Sequence, residues 1–551
     1  MLSARTPIGP ENRALSFSLI AAFTLSTLSG SAIAFADNPN NTPGVVVLTN
    51  PEVSYGAGAG TIAVHGMRKG QSDGPKHDKP FRAVPGGNKG RPGGGGTSSD
   101  PVVQSTFATS NGFLATGLSF EGLGNGFPNF SVDSAPPDTN GVVGATQYVQ
   151  WVNESFAIFD KSTGALLDGP IAGNELFQSL GATHPCAVNN DGDPIAQYDK
   201  ANNRWILTQF SVTNGGSQGY WQCIAISKTS DATGAYNVYA YKQPNFNDYP
   251  KFGVWNGTYY ATYNMFSGNS FAGARLCAYD GASMRAGAAA AEQCFQLSTS
   301  YGGVLPADVD GAIAPPTGSN EYFLSFGANT LNTWRFHVDF TTSSNTTLTG
   351  PFLTSVASFT EACSGGTCVP QPGTTQQLDS LGDRLMYRLS YRHFTDGHEA
   401  LFVNHSVNPG LVSAGVRWYE LRPASSGSVT VYQQSTYAPG NALNRWMGSI
   451  ASDKNGNLAV GYSTSSGSNY PAIQYSYRTP TDALSNLGSE QLILASNGAQ
   501  LRTLNRWGDY SAMTVDPVDD CTFWYTNEYL LSSGTFNWHT HIASFKIAGC
   551  H

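Results

Sequence analysis

The chain has 551 residues, of which 40% are hydrophobic and only 12% charged, with a net charge of −9 and an isoelectric point near 5.5. Soluble chains average roughly 25% charged residues, and here 62 Gly and many Ser, Thr and Asn take their place. The acidic balance argues against nucleic acid as a partner, and 12% aromatics among so many turn formers argue against long helices and for short strands.

Arg5 and Arg13 give the chain a positive start, and Leu15 to Leu28 is an apolar run softened by Ser and Thr. Ala34-Phe35-Ala36 has the small-x-small form of a signal-peptide cleavage site, so residues 1–36 are expected to be a secretory signal. The apolar core is short for a membrane span, which needs about 20 residues, and no later stretch approaches that length. No membrane span is therefore expected after cleavage. Residues 37–100 are expected to be a disordered or weakly structured linker with one strand-like run at Val45–Leu48. The stretch 67–100 opens Met67-Arg68-Lys69-Gly70 and carries Gly93-Gly94-Gly95-Gly96, a composition too polar to offset its ordering entropy.

Residues 101–551 repeat one unit: a short apolar strand, a turn rich in Asp, Asn and Gly, an aromatic second strand, a longer loop and a third strand. The apolar residue near the start of each second strand serves as a ruler: Tyr148, Trp205, Tyr259, Tyr322, Leu401, Leu458 and Phe523. These recur every ~60 residues, and such a period means that each small sheet buries its faces against its neighbours. The expected fold class is all-β, a seven-bladed β-propeller preceded by a signal peptide and a flexible linker. A pair of β-sandwiches is the rival architecture, and it does not account for one unit seven times. Eight cysteines fall as sequence neighbours: Cys186 and Cys223, Cys277 and Cys294, Cys363 and Cys368, Cys521 and Cys550. Sequence leaves 105 pairings open, but an even count in an exported chain favours disulfides.

The stretches Pro136-Pro137-Asp138-Thr139-Asn140-Gly141-Val142-Val143-Gly144, Asn203-Arg204-Trp205-Ile206-Leu207-Thr208-Gln209-Phe210 and Arg506-Trp507-Gly508-Asp509-Tyr510-Ser511 resemble those of secreted bacterial propeller proteins of the sialidase-like repeat type. The resemblance spans roughly residues 115–549 and implies a propeller fold and a carbohydrate-related role. The Asp-box of that group, Ser-x-Asp-x-Gly-x-x-Trp, has a partial echo at Ser452-Asp453-Lys454-Asn455-Gly456.

In a propeller the innermost strand of each unit lines the central channel, so residues just before it face the funnel. Units one to four open through acids: Asp138, Asp193, Asp248, and the pair Asp308 and Asp310. Units five to seven open through Arg384 and Arg388, Arg445, and Arg506. Guanidiniums bind carboxylate or sulfate by forked hydrogen bonds, and Trp446 and Trp507, beside two of them, offer flat faces for sugars. Paired carboxylates serve glycoside cleavage. Asp193, Asp248 and Asp310 are the acid/base candidates, with Tyr510 and Tyr387 in reserve for proton transfer. Arg384, Arg388, Arg445, Trp446, Arg506 and Trp507 are the substrate-binding candidates. The plainer alternative is that acids and arginines pair across the channel and hold the ring closed.

No His-Glu-x-x-His, phosphate loop or dinucleotide fingerprint occurs. Gly215-Gly216-Ser217-Gln218-Gly219 reads as a hairpin loop, because a nucleophile elbow needs a strand before it and a helix after it. His539 and His541 share a strand face, a start for a metal site or simply an exposed strand. No metal ligand set and no cofactor are expected. The oxygen-rich turns at Asn189–Asp193 and Asp516–Asp520 could hold structural calcium, with ordinary turn chemistry the simpler account. The chain is expected to be a secreted monomer acting on an acidic glycan as hydrolase or lyase. The alternative is a non-enzymatic propeller that binds glycan or protein at a cell surface.

Overall fold

The computed structural model describes residues 44–551 apart from 59, 66, 68–75, 86–99, 111, 113 and 213–217. The expected signal peptide, most of 67–100 and Gly215–Ser217 lie outside the described residues. Regular structure is almost all β, 50% strand against 5% helix. No helix among the described residues is long and apolar enough to cross a membrane.

Seven four-stranded antiparallel sheets follow one another along the chain, numbered here 1 to 7. Their first strands are Asn140–Val143, Ile195–Asp199, Phe246–Trp255, Leu305–Asp310, Met386–His393, Asn444–Ser452 and Ala512–Val515. Each first strand packs beside the next, and the seventh packs beside the first, so the seven form a closed ring. Sheets 4 and 5 are joined further by parallel pairing of Ala307–Asp310 with Leu389–Arg392. Local turn chemistry shapes each unit. In sheet 3, Asn256 (φ 48°) and Gly257 (φ 76°) make the two-residue turn between Trp255 and Thr258, the mirror-image type that matches strand twist. In sheet 6, the Asp453 carboxylate accepts the N–H groups of Asn455 and Asn457 at 2.9 Å each.

The ruler residues all sit within the first three positions of their sheets' second strands, from Tyr148 in Gln147–Val152 to Phe523 in Thr522–Tyr529. Every sheet buries at least one tryptophan: Trp151, Trp205, Trp255, Trp334, Trp418, Trp446, and Trp524 in sheet 7, with Trp507 and Trp538 buried beside it. A tryptophan removes roughly 150–250 Å² from water, so the faces between sheets are strongly apolar. Sheet 7 is completed from the other end of the chain: Leu114–Glu121 pairs antiparallel with His539–Ile547, from Ile547↔Leu114 to His541↔Glu121.

Residues before 114 add to sheet edges. Val46–Leu48, Glu52–Gly56 and Thr61–Ala63 become antiparallel fifth strands on sheets 4, 3 and 2. Val103–Gln104 pairs in parallel with the outer strand of sheet 5. There the buried Asp100 carboxylate accepts from Arg417 Nη2 at 2.7 Å.

Four disulfides join Cys186–Cys223, Cys277–Cys294, Cys363–Cys368 and Cys521–Cys550. The last ties the start of the second strand of sheet 7 to the end of the chain, across 29 residues of sequence. Closing a loop of that size stabilises a fold by about 3 kcal/mol through the unfolded chain. A Cys521→Ser, Cys550→Ser variant should lose about that much in a urea titration, with closure of the ring next to fail.

Candidate functional site

One end of the ring carries a repeated backbone feature. Just before or within each first strand, at least one residue takes a positive φ, among them Asp138 (49°), Asp193 (48°), Tyr249 (55°), Gly303 (58°), Leu381 (45°), Met447 (57°) and Asp509 (55°). Asp tolerates this region, but Tyr, Leu and Met are outliers there. Such strain costs roughly 1–3 kcal/mol per residue and persists where surrounding structure enforces it, often at functional sites. It turns the chain sharply at the entry to each first strand.

Four of these residues, Asp193, Tyr249, Leu381 and Asp509, line a cavity of about 210 Å³. Its ring-derived wall holds Asp191, Asp193, Asp248, Asp509, Arg384 and Arg506, with Phe210, Phe246, Tyr249, Val212 and Leu381 between them. Both arginines are held by their own carboxylates. Arg384 donates to Asp383 at 2.8 and 3.3 Å, and Arg506 forms a close ion pair with Asp509. The Asp193 carboxylate accepts the Tyr249 N–H at 3.2 Å. Burial, then the neighbouring Asp193 charge, push the Asp248 carboxyl up to about 7, against the pull of Arg82, Arg384 and Arg506. Asp248 can therefore carry or lose a proton near neutrality.

Beneath the cavity lies Lys251, fully buried. Its ammonium rests 3.4 Å from the Tyr249 ring centre and 4.0 Å from that of Tyr510, and donates to the Pro250 carbonyl at 2.9 Å. Burial brings this group down to about 7, while Asp193, Asp138 and Asp509 work to keep it charged. Asp138 is buried beside them, and burial together with the charges of Asp509 and Asp193 raises its carboxyl.

Of the residues expected from sequence, the structure brings together Asp193, Asp248, Arg384 and Arg506. Tyr510 lies under the cavity and does not line it. Its hydroxyl donates to the Pro194 carbonyl at 3.0 Å, and burial raises the phenol well above its ordinary range, which disfavours it as a proton carrier. Tyr387 is likewise buried, with its hydroxyl 2.6 Å from the Gln197 side-chain amide.

Asp310 and Arg388 belong to the far end of the ring, because Asp308 and Asp310 close the first strand of sheet 4 instead of opening it. There the buried Arg388 guanidinium bridges Asp308 at 2.7 Å and Asp310 at 2.8 Å, and donates to the Met513 carbonyl of sheet 7 at 3.0 Å. Arg445 is wholly buried against Glu490, at 2.7 and 2.8 Å, and faces no cavity substrate. Trp446 and Trp507 pack in the core 6.0 Å apart, and Trp507 Nε1 donates to Ser463. Two large apolar rings gain more from full burial than from a place at the mouth.

His541 spends both ring nitrogens on strand-to-strand ties, 2.7 Å to Ser119 Oγ and 3.0 Å to Glu121. In the two oxygen-rich turns, Asp191 accepts Val212 N–H, Asp516 meets Lys161, Asp519 accepts the N–H groups of Cys521 and Thr522, and Asp520 meets Arg392. Sequence reasoning passed over Lys251, Asp383, Asp509, Phe210 and Phe246. Asp509 had a signal, since it stands within the quoted Arg506–Ser511 stretch, and Lys251 is a cation in an otherwise apolar run from Tyr249 to Trp255.

No family model and no curated protein matches the chain. Among solved structures it is similar to the N-terminal domain of Nup159, with 9% identity, TM-score 0.34, and coverage of 81% of this chain and 99% of that one. It is also similar to a polysaccharide lyase, an ulvan lyase, at 11% identity and TM-score 0.33, covering 76% and 97%. An exo-β-1,3-galactanase from Clostridium thermocellum matches at 8% identity and TM-score 0.30, covering 81% and 98%.

Two outcomes follow from this placement. Arg388→Ala leaves the buried Asp308 without its ion-pair partner and Asp310 with only Lys200, 3.5 Å away, and should cost about 3–5 kcal/mol in a urea titration, with no change in ligand affinity measured on the folded fraction. Asp248 binds its proton more tightly in the folded chain than in the unfolded one, where its pKa is about 3.9. Its contribution to stability is full below that value and is lost as pH rises through about 7. Asp248→Asn should flatten the fall in stability between about pH 4 and pH 7, read by urea titration at several pH values.

Proposed function

We propose that this chain is an exported seven-bladed β-propeller that hydrolyses a glycan in the mouth cavity. The observation that carries the reading is Asp248, a carboxyl that holds its proton up to about 7, lining the same cavity as Asp193. Glycoside hydrolysis needs one protonated and one ionised carboxyl. Asp248 would give its proton to the glycosidic oxygen as the C–O bond breaks. Water would add at the anomeric carbon and pass a proton to Asp193. Phe210 and Phe246 supply apolar faces for the sugar rings.

The charge balance supports a different substrate from the one expected from sequence. An acidic glycan, and a lyase acting on it, would draw on uncommitted arginine charge. Arg384 and Arg506 are neutralised by Asp383 and Asp509, so they act here as fixed hydrogen-bond donors to neutral oxygens such as sugar hydroxyls. The remaining charge that the ring itself supplies to the wall is carboxylate, from Asp191, Asp193 and Asp248, which favours a neutral or amine-bearing glycan.

The test is a panel of neutral, acidic and amino glycans, with bound glycan and released reducing ends both measured. Neutral or amino glycans should be bound and cleaved by the parent chain. Asp248→Asn should still bind glycan, while turnover falls about 100-fold or more. Binding without product would point to a non-enzymatic surface-binding module. Selective turnover of acidic glycans would restore the substrate expected from sequence.

A further inference from the structure

Part of the wall of the mouth cavity comes from outside the ring: Lys79, Pro80, Phe81 and Arg82 line it together with the ring residues. Residues 77–84 cross it as an extended strap, beginning with the short strand His77–Asp78 in parallel with Ser134–Ala135, where Lys79 N–H donates to the Ala135 carbonyl at 2.9 Å. The Lys79 ammonium enters the cavity. It hydrogen-bonds the Asn153 side chain, donates to the Asp191 carbonyl at 2.6 Å, and sits 3.6 Å from Asp193. The Arg82 guanidinium lies 4.5 Å from the Phe246 ring centre and 4.0 Å from Asp248. The strap's backbone takes the arginines: Arg506 donates to the Lys79 carbonyl at 2.7 Å, and Arg384 to the Arg82 carbonyl at 2.9 Å. Phe81 lies between those two guanidiniums, 5.9 and 5.8 Å from them. Val84 is buried, and its N–H donates to Asp383 at 2.9 Å.

This is more than a covering loop. The two cations meet the two carboxylates assigned to chemistry, and the two carbonyls meet the two fixed donors. Lys79 keeps its charge in spite of burial, because Asp193, Asp138, Glu154 and Asp191 together outweigh the cost of desolvation. The cavity therefore reads an extended chain that presents two cations and two neutral oxygens. The paired positions are three residues apart, at most about 10 Å along an extended backbone, which is the scale of a disaccharide repeat.

We propose that residues 77–84 are a tethered occupant that holds the mouth site closed, and that the ligand which displaces them is a chain bearing amines, such as an oligomer of glucosamine. The proposal rests on the mouth being the ligand site. A tethered occupant competes at an effective concentration on the order of mM, so a free ligand is held off until the strap leaves. The cations that make the strap fit are the features a displacing ligand must reproduce. N-acetylation of the sugar amines removes those charges and should remove the advantage.

The experiment uses the full chain and a Lys79→Ala, Arg82→Ala variant, with a fluorescent octapeptide of the sequence of residues 77–84 as probe. The probe should bind the variant at least tenfold more tightly than the parent. Glucosamine oligomers should displace it, and their N-acetylated forms should do so at least tenfold less well. Should the double variant melt early, Arg82→Gln removes one cation, keeps the Val84 and Phe81 contacts, and serves in its place. Equal probe binding by parent and variant, or none by either, overturns the strap as occupant. If glycans are then still cleaved, the hydrolase reading survives alone. Probe binding that no glycan displaces, with no glycan cleaved, keeps the strap and sinks the glycan reading. Displacement by acidic or neutral oligomers ahead of glucosamine overturns the amine-bearing ligand.

Discussion

The pairing of Leu114–Glu121 with His539–Ile547 carries the rest of the structure, because it completes the seventh sheet from the opposite end of the chain. A small sheet has two apolar faces and cannot bury both by itself. In a ring every sheet covers its neighbour, and the arrangement holds only if the last sheet is whole. Hydrogen bonds across the join, the Ser119–His541–Glu121 contacts and the Cys521–Cys550 disulfide all reinforce this one place.

Closure forces seven first strands into a narrow axis, and the two ends of that axis handle charge differently. At the far end Arg388 binds Asp308 and Asp310 and reaches the Met513 carbonyl, and Lys200 lies 3.5 Å from Asp310, so two cations meet two buried carboxylates within the ring. At the mouth, six non-glycine residues and Gly303 adopt positive φ, and carboxylates outnumber the cations the ring supplies. Desolvation raises Asp138 and Asp248 and lowers Lys251 in the same small volume. Lys79 and Arg82 then complete the charge balance from outside the ring.

The repeat was legible because strand pairing is local. Tyr198 opposes Trp205 and Trp255 opposes Thr258 across turns of a few residues, so the alternation and the turn residues stand together in sequence. The mouth was legible only in part. Asp193, Asp248, Arg384 and Arg506 precede or open their first strands and do face the cavity. Asp310 resembled them in type but ends its strand, and Trp446 and Trp507 stood beside the right arginines while pointing into the core. One residue of offset in a strand moves a side chain to the opposite face, and composition does not report that offset. The segment at Lys79–Arg82 was hidden for another reason: it stands in a stretch of polar, glycine-rich composition, and its partners Asp193, Asp248, Arg384 and Arg506 lie far away in sequence.

By itself the sequence determined an all-β chain of recurring short sheets, rich in local turns, with cysteines placed to bridge near neighbours. Those properties follow from contacts between residues close in the chain, which composition and periodicity encode. Only the tertiary structure decided which charges meet. It set Arg388 against Asp308 and Asp310, Arg445 against Glu490, and Lys79 and Arg82 against Asp193 and Asp248. These partners come from different sheets or distant segments, and whether a charge is paired inside the ring or left to face a ligand depends on the register and closure that bring them within reach.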